Sequence, residues 1–392
     1  MNSSIRRGLA DLACRALQAI LPQSLRSWGS AVRYETAEIL DDTKALLFAV
    51  DSLCGLLPRA IAIHLSTVFA SLTGGRAPAL GESIAMSLYS GVARRPRLLG
   101  IICAGGAVAL GLAYMAIAGA PTRYLAINGG ALLVGVALLL LSERGSRENA
   151  DWSGGLIAAM SAALLATTLF GQSADGATRW LMLGGLAVQP SLILLPMMVV
   201  AFARSCSTLG AAGLVVAAAV LALQPDRAMA GMLAAGLAML AMVCADRRVL
   251  AALSASIAGF VATLLRADTL PASPFVDQIL YSAFDVHALA GIAVMTGALL
   301  LVVPAIIGGI HDAARRGVYL VFGVAWLAAI LAAALGNYPT PVVGYGGSAI
   351  IGYVLSLAGL PRRATTRSQA DAQAGAAADA HSRDHHLRLE LA

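Results

Sequence analysis

The chain has 392 residues, of which 59% are hydrophobic and only 12% are charged, and its mean hydropathy is +0.79. This composition excludes a soluble globular protein, whose surface would need far more charged residues. It predicts a polytopic membrane protein, because each helix that crosses a hydrocarbon core of about 30 Å needs roughly 20 apolar residues. The net charge of +6 does not indicate nucleic acid binding, since the arginines are scattered over short loops between apolar runs.

Residues 1–96 differ from the rest because their apolar residues alternate with charges at helical spacing. The pattern predicts an amphipathic helix over 5–20, a second helix after it, and a third that Asp41 or Asp42 can cap and that runs to Leu57. The apolar run at 60–72 is short for a membrane span. We therefore predict a helical region on the cytoplasmic membrane surface, with a true span over part of this region as the alternative.

From residue 97 onward, apolar runs of membrane-helix length follow one another regularly. We count ten, at 97–119, 124–142, 153–171, 187–204, 208–224, 228–245, 248–266, 285–309, 317–336 and 342–360. Thirteen arginines flank these runs at one end, whereas four lie at the other end, namely Arg123, Arg179, Arg227 and Arg266. Because positively charged loops stay in the cytoplasm, both termini are predicted to be cytoplasmic.

The last segment, residues 361–392, is rich in Ala, Asp and His and has no apolar periodicity. This composition predicts a disordered cytoplasmic tail. Its histidines His381, His385 and His386 are candidate metal ligands, although a solvated tail is the favoured interpretation. The sequence thus divides into a helical region at 1–96, a transmembrane domain at 97–360 and this tail.

The segment 266–291, between the seventh and eighth apolar runs, carries the most conspicuous ionisable groups. Pro271 and Pro274 prevent the preceding helix from continuing, and Asp277 and Asp285 follow at the entrance to the next run. Ionisable groups beside hydrocarbon are costly unless they face an interior or a wet cavity, so both carboxylates are candidate functional groups. The alternative is that Asp277 is a solvated loop residue and Asp285 a helix cap.

Three further loops at the same predicted end of the spans combine polar residues with prolines and glycines. They read G-Q-S-A-D-G-A-T-R-W-L-M-L-G-G-L-A-V-Q-P-S (171–191), L-Q-P-D-R (223–227) and N-Y-P-T-P-V-V-G-Y-G-G-S-A (337–349). Proline and glycine at the ends of spans leave backbone groups that need partners or water. Together with the segment around Asp277, these loops are predicted to enclose a polar cavity that opens to the periplasm.

The ordered motifs G-A-T-R-W…Q-P-S, L-Q-P-D, V-D-Q-I-L-Y-S-A-F-D and P-V-V-G-Y-G-G-S resemble the SEDS family (shape, elongation, division and sporulation; the FtsW/RodA family). The resemblance covers about residues 97–360 and leaves residues 1–96 outside it. It implies an all-α fold of ten transmembrane helices in the bacterial inner membrane. It also implies glycosyl transfer between undecaprenyl-linked disaccharide precursors of peptidoglycan, in cell division or cell-shape maintenance, with a penicillin-binding transpeptidase as partner.

The resemblance also implies roles for individual residues. Asp277 takes the place of the family's essential aspartate and Asp285 that of a nearby glutamate, so these are the expected catalytic residues. A carboxylate can accept the proton of a sugar hydroxyl as its oxygen attacks an anomeric carbon, which typically contributes about 10²–10⁴-fold in rate. The expected substrate-binding residues are Arg179, Trp180, Gln189, Asp226, Arg227, Arg266, Tyr345, Gly346, Gly347 and Ser348.

The leaving diphosphate needs positive charge, which the arginines at 179, 227 and 266 are candidates to supply. For each of them taken separately, an anchor at a helix end or at the lipid headgroups is the favoured interpretation. The motifs require no cofactor, and a divalent metal ion is an alternative source of positive charge.

The sequence also departs from the family pattern. Leu192 and Leu195 stand where the family has an acid and a base, Q-P-D-R-A-M replaces Q-P-D-L-G-T, and about ten residues replace a long glycine-rich loop between Arg266 and Asp277. These departures favour an alternative function, a non-catalytic relative that binds lipid-linked glycan or a division partner. A transporter of lipid-linked precursor is a third hypothesis, which the nearly uncharged spans disfavour.

Overall fold

The computed structural model describes residues 3–52, 95–145, 152–174, 177–266 and 271–362, together with the single residues 56, 60 and 92. The chain divides into two compact units, Met1–Val92 and Ala93–Ala392. Long apolar helices dominate the described part of the second unit, which makes the protein an all-α polytopic membrane protein.

The first unit contains helix α1 (Ser3–Ile20), a 3₁₀ turn (Gln23–Leu25), helix α2 (Arg26–Glu38) and further helical residues at 42–52. Leu17 of α1 and Val32 of α2 belong to a small apolar core that these helices share. Asp41 caps the third segment, since its Oδ1 accepts the N–H groups of Thr43 and Lys44 at 2.8 and 3.1 Å. The predicted amphipathic helices are therefore confirmed as far as residue 52. Their membrane-surface location stays a prediction, and residues 53–55, 57–59 and 61–72 lie outside the described residues.

The second unit is built mainly from apolar helices. They are α3 (Pro96–Ile117), α4 (Thr122–Gly145), α5 (Trp152–Phe170), α6 (Pro190–Ser205), α7 (Thr208–Leu223), α8 (Arg227–Val243), α9 (Arg247–Leu264), α10 (Ile279–Val286), α11 (Ala288–Leu300), α12 (Val303–His311), α13 (Arg316–Leu335) and α14 (Gly347–Ser356), with 3₁₀ turns at Ala313–Arg315 and Leu357–Gly359. In the described residues, six segments are long and apolar enough to cross a membrane: α3, α4, α5, α9, α11 with α12, and α13. The helices α6, α7, α8 and α14 are apolar but shorter, so the count of ten spans stays a prediction.

The eighth predicted span is divided into α11 and α12 by a break at Leu301 and Val302. Pro304 follows the break and has no N–H to donate to the carbonyl of Leu300. The buried hydroxyl of Tyr353 donates to the carbonyl of Leu301 at 3.0 Å. This bond satisfies a backbone group that would otherwise lack a partner in an apolar setting.

Helix α6 has a central place in the bundle, where it contacts α5, α7, α8, α13 and α14. Pro196 inside α6 cannot donate to the carbonyl of Leu192, so that carbonyl has no helical partner. Gly352 of α14 approaches this carbonyl so closely that any side chain at Gly352 would collide with it. Close helix contact through small residues is the packing expected in lipid.

A small antiparallel sheet lies between α5 and α6, with strands β1 (Gln172–Ala174), β2 (Ala177–Leu183) and β3 (Leu186–Val188) in that order. Gly184 and Gly185 have φ angles of +57° and +81° and form the two-residue turn between β2 and β3. The polar composition of this stretch predicts a loop that leads directly into a span at 187, whereas the structure forms a hairpin there. A β-prone run followed by Gly-Gly, which is typical of a hairpin, is the sequence signal for it.

Candidate functional site

The four polar loops line one cavity of about 520 Å³. One side of the cavity is formed by the sheet between α5 and α6 and by the junction of α7 and α8. The other side is formed by the segment 271–277 and by the loop 337–346. Apolar side chains such as Ile127, Ile193 and Met229 line much of the remainder. A cavity with polar loops and apolar helix faces suits an amphipathic ligand.

Three helices begin at this cavity, because the N-cap residues of α6, α8 and α14 (Gln189, Asp226 and Gly346) all line it. The first N–H groups of a helix carry partial positive charge and favour anions. Asp226 offsets this charge at α8, where its Oδ1 accepts the N–H of Met229 at 3.3 Å. The starts of α6 and α14 still favour an anionic group in the cavity.

A buried hydrogen-bond network joins the Q-P-S and Q-P-D motifs. Asp226 is 1% exposed, and its Oδ2 accepts from Nε2 of Gln189 at 3.0 Å and from the hydroxyl of Ser191 at 2.7 Å. The hydroxyl of Ser348 accepts the N–H of Gln189 at 3.0 Å. A buried carboxylate needs such partners. The network therefore fixes the starts of α6, α8 and α14 relative to one another.

Arg179 is a buried cation beside this network. The residue is 6% exposed, and its Nη2 donates to the carbonyl of Pro225 at 2.6 Å. Its guanidinium carbon lies 5.8 Å from the ring centroid of Trp180, which also lines the cavity. In the described part of the chain, no carboxylate lies within ion-pair distance of Arg179. Because a buried arginine is normally paired, Arg179 is suited to bind an anionic ligand.

The other two predicted arginines do not line the cavity. Arg227 donates from Nη2 to the carbonyls of Thr263 and Arg266 at 3.3 and 2.9 Å, and Arg266 donates to the carbonyl of Leu223 at 3.3 Å. These carbonyls lie at the ends of α7 and α9, where cations satisfy orphan groups and favour the helix dipole. Their side chains join helix ends, as the anchor interpretation predicts, and a substrate-binding role for Arg227 and Arg266 stays a prediction.

Asp277 lines the cavity from the opposite side and is half-buried. Its Oδ2 accepts the N–H of Ser273 at 2.8 Å, while its own N–H donates to the carbonyl of Ser273 at 3.0 Å. Burial raises the pKa of Asp277 above its ordinary value, and the hydrogen bond from Ser273 opposes part of that shift. A carboxylate with a raised pKa is a stronger proton acceptor once it is ionised, which suits a general base.

The segment around Asp277 is held against the loop 337–346 by backbone bonds. The carbonyls of Phe275 and Val276 accept the N–H groups of Tyr345 and Thr340 at 2.7 and 2.9 Å. Phe275, Gln278 and Val342 have left-handed φ angles of +63°, +57° and +67°. Such backbone costs about 1–3 kcal/mol per residue and persists only where the surroundings fix it, as they often do at functional sites.

Asp285 lies elsewhere, in the last turn of α10. The buried face of α10 carries Ile279, Leu280 and Ala283, which leaves Asp285 exposed and outside the cavity lining. The cap of α11 is His287, whose Nδ1 accepts the N–H of Leu289 at 3.1 Å. The structure therefore does not bring Asp285 together with Asp277, and the cap of α11 is His287 instead of Asp285. The catalytic role expected for Asp285 stays a prediction that this position does not support.

The remaining predicted residues, Tyr345, Gly346, Gly347 and Ser348, all line the cavity. A residue that the sequence analysis missed holds this loop in place: Asn128 of α4, which is 1% exposed. Its Nδ2 donates to the carbonyl of Gly344 at 2.8 Å, and its Oδ1 accepts the N–H of Gly346 at 3.1 Å. A lone amide inside an apolar run was the available signal, since an unpaired amide is costly there.

Within the described ranges, no group of three or more His, Cys, Asp or Glu side chains is arranged to hold a metal ion. The three tail histidines lie outside those ranges. Among the described residues that line the cavity, Arg179 and the starts of α6 and α14 supply positive charge.

Comparisons with known proteins identify the fold. No family model and no curated protein matches the sequence. Among solved structures, the chain is similar to the rod shape determining protein RodA of Thermus thermophilus, with a TM-score of 0.51 and 20% identity over 66% of this chain and 93% of that chain. An aspartate-to-alanine mutant of that protein gives a TM-score of 0.50 and 20% identity over 66% and 94% of the two chains. The SEDS-like, all-α membrane fold that the motifs predicted is thereby confirmed.

Proposed function

We propose that this chain, which has the fold of RodA, is a divergent SEDS protein that polymerises lipid-linked peptidoglycan precursor by glycosyl transfer. The observation that carries the proposal is the cavity itself, in which the carboxylate of Asp277 faces a site supplied with positive charge by Arg179 and the starts of α6 and α14. We place the activity in cell-shape maintenance or cell division, with a penicillin-binding transpeptidase as partner.

In this mechanism Asp277 accepts the proton of an acceptor-sugar hydroxyl. The hydroxyl oxygen then forms a bond to the anomeric carbon of the donor sugar, while the bond from that carbon to the diphosphate oxygen breaks. The diphosphate leaves with the bonding electrons on its oxygen, and Arg179 with the helix starts stabilises this charge. The apolar helix faces around Ile193 and Met229 suit the first part of the lipid chain.

The test is polymerisation of lipid-linked disaccharide by the purified chain in lipid vesicles. Wild-type protein should produce glycan strands, and Asp277→Asn should produce them at least about 100-fold more slowly, in line with acid–base assistance. Asp285→Asn is the matched control, because it removes a carboxylate outside the cavity. Absence of polymer with wild-type protein, under conditions where the protein is folded and binds the precursor, would refute the enzymatic proposal.

A second candidate function is binding of lipid-linked glycan without transfer. The low charge of the cavity favours this second function. The uncharged side chain of Leu192 lines the cavity, and Arg179 is the one predicted arginine among the described lining residues. This candidate predicts tight binding of the precursor, no polymer, and no effect of Asp277→Asn on cell growth. The polymerisation assay separates the two.

We further propose that the chain lies in the bacterial inner membrane with both termini in the cytoplasm. The uneven distribution of arginines supports this orientation, which places Ser273 in the periplasm. A cysteine at Ser273, in a chain without its native cysteines, should react with an impermeant maleimide in intact cells from which only the outer membrane has been removed. Reaction only after the inner membrane is permeabilised would reverse the orientation.

A further inference from the structure

Two tyrosine rings stack at the edge of the cavity. The ring centroids of Tyr124 and Tyr345 lie 3.8 Å apart, and their planes differ by 11°. Tyr345 lines the cavity, whereas Tyr124 does not. Tyr345 therefore forms part of the cavity wall, and Tyr124 stacks on it from outside the cavity lining.

Hydrogen bonds hold the backbone of Tyr345 and of the residues on both sides of it. The buried amide of Asn128 bonds the residues on both sides of it, Gly344 and Gly346, at 2.8 and 3.1 Å. Its own N–H donates to the carbonyl of Phe275 at 2.7 Å. Tyr124 in turn contacts Phe275 edge-on, with ring centroids 6.3 Å apart. The ring of Tyr345 is thus fixed from its backbone and from one face.

The same contacts hold the loop of Tyr345 against the segment of Asp277, and both residues line the cavity. Phe275 and Asp277 belong to one short segment, and Pro339 on the loop of Tyr345 pairs directly with Asp277. A flat, half-buried ring in one cavity with a carboxylate suits a ligand that offers both a flat apolar face and hydroxyl groups. A sugar ring has both, because the axial C–H bonds of a pyranose form an apolar face that stacks on aromatic rings.

We propose that Tyr345 is a stacking platform for a sugar ring of the precursor, and that Tyr124 and Asn128 are positioning residues that hold it. This inference rests on the proposed function and deepens it by assigning the acceptor sugar to the Tyr345 side of the cavity. Stacking there presents a sugar hydroxyl to Asp277 while the diphosphate of the donor occupies the side of Arg179. The platform binds the sugar in the ground state, so its loss should raise KM more than it lowers kcat.

The experiment measures affinity of the purified chain for two ligands, lipid-linked disaccharide and undecaprenyl phosphate, which has no sugar. Tyr345→Leu should weaken binding of the disaccharide ligand by about tenfold, the size of an aromatic contact, and leave binding of undecaprenyl phosphate unchanged. Tyr345→Phe keeps the ring and should bind both ligands like wild type. Tyr124→Leu, which leaves the platform without its backing ring, should give an intermediate loss for the disaccharide ligand alone.

Tyr281→Leu is the matched control, because Tyr281 is exposed, lies outside the cavity lining and bonds the carbonyl of Ala334. It should leave both affinities unchanged, and the thermal midpoint of each variant shows that it is folded. The inference is overturned if Tyr345→Phe loses as much affinity as Tyr345→Leu, if both ligands are weakened equally, or if neither is weakened. Failure of wild-type protein to bind lipid-linked disaccharide would overturn the proposed function together with this inference, so the two failures are distinguishable.

Discussion

The two sides of the cavity each carry one aspartate, and the two carboxylates have opposite surroundings. Asp226 is fully buried, and both of its oxygens accept hydrogen bonds from neighbouring groups. Asp277 is half-buried, and its bonds within the described residues involve Oδ2 alone. The comparison shows how one cavity separates roles: Asp226 holds three helix starts together, whereas Asp277 keeps an oxygen available for a ligand.

The largest expected effect comes from Asp277→Asn, which keeps the shape of the side chain but removes the base. We expect kcat to fall by at least about 100-fold with little change in KM, since proton transfer belongs to the transition state. The thermal midpoint should stay the same or rise slightly, because the substitution removes a charge that burial disfavours. Steady-state kinetics with a calorimetric scan of the same preparation measure both, and a large loss of stability would contradict the role given to Asp277.

Arg179→Leu should weaken binding of lipid-linked precursor by about 10–100-fold, because a charge-assisted bond to the diphosphate is lost. Arg266→Leu is the control, since that side chain is exposed and caps the end of α7. Its affinity for the precursor should change by less than about twofold. Direct binding measurements on both variants check this, and equal losses would contradict the distinction between them.

Asp226→Asn should affect stability before chemistry. One carboxylate oxygen becomes an amide donor. Either Gln189 and Ser191 then lose their shared acceptor Oδ2, or the N–H of Met229 loses its acceptor Oδ1. We expect the free energy of unfolding to fall by about 1–3 kcal/mol, the usual cost of a buried unpaired polar group. Equilibrium unfolding in detergent tests this, and a variant as stable as wild type with unchanged activity would show that the network is dispensable.

The smallest expected effect is a shift in pH dependence. Asp277 must be ionised to accept a proton, and its pKa is raised above the ordinary 3.8, so activity should fall with decreasing pH at a higher pH than an exposed aspartate would give. The stability of the folded protein changes with pH in the opposite direction. Because the pKa of Asp277 is raised in the folded state, its contribution to stability is fully present below the pKa of the unfolded state. That contribution is lost as pH rises through the pKa of the folded state. The stability of Asp277→Asn relative to wild type should therefore increase with pH over this interval.

The helices and the cavity were predictable because hydrocarbon imposes strong rules on sequence. Long apolar runs have to form helices, and the proline, glycine and aspartate residues between them have to face a polar space. These rules place Arg179, Asp226, Asp277 and Ser348 at one cavity, and all four line it in the structure.

The rest depended on geometry that the sequence does not display. The direction of the Arg227 side chain is set by carbonyl groups at the end of α9. The sequence alone does not show that the end of α9 lies beside the start of α8. The exposure of Asp285 depends on the phase of a helix of eight residues, which is too short for its periodicity to define a face. The strands β2 and β3 are hard to predict because a polar stretch between two apolar runs is equally typical of a loop.

The central claim is that Asp277, and not Asp285, performs the chemistry. The most direct test expresses Asp277→Asn and Asp285→Asn in a strain that lacks the native copy and compares growth and cell shape at matched membrane abundance. We predict that Asp277→Asn fails to complement, whereas Asp285→Asn complements fully, because one carboxylate lies in the cavity and the other is exposed on α10. Full complementation by Asp277→Asn at normal abundance would contradict the catalytic account and leave the fold assignment intact.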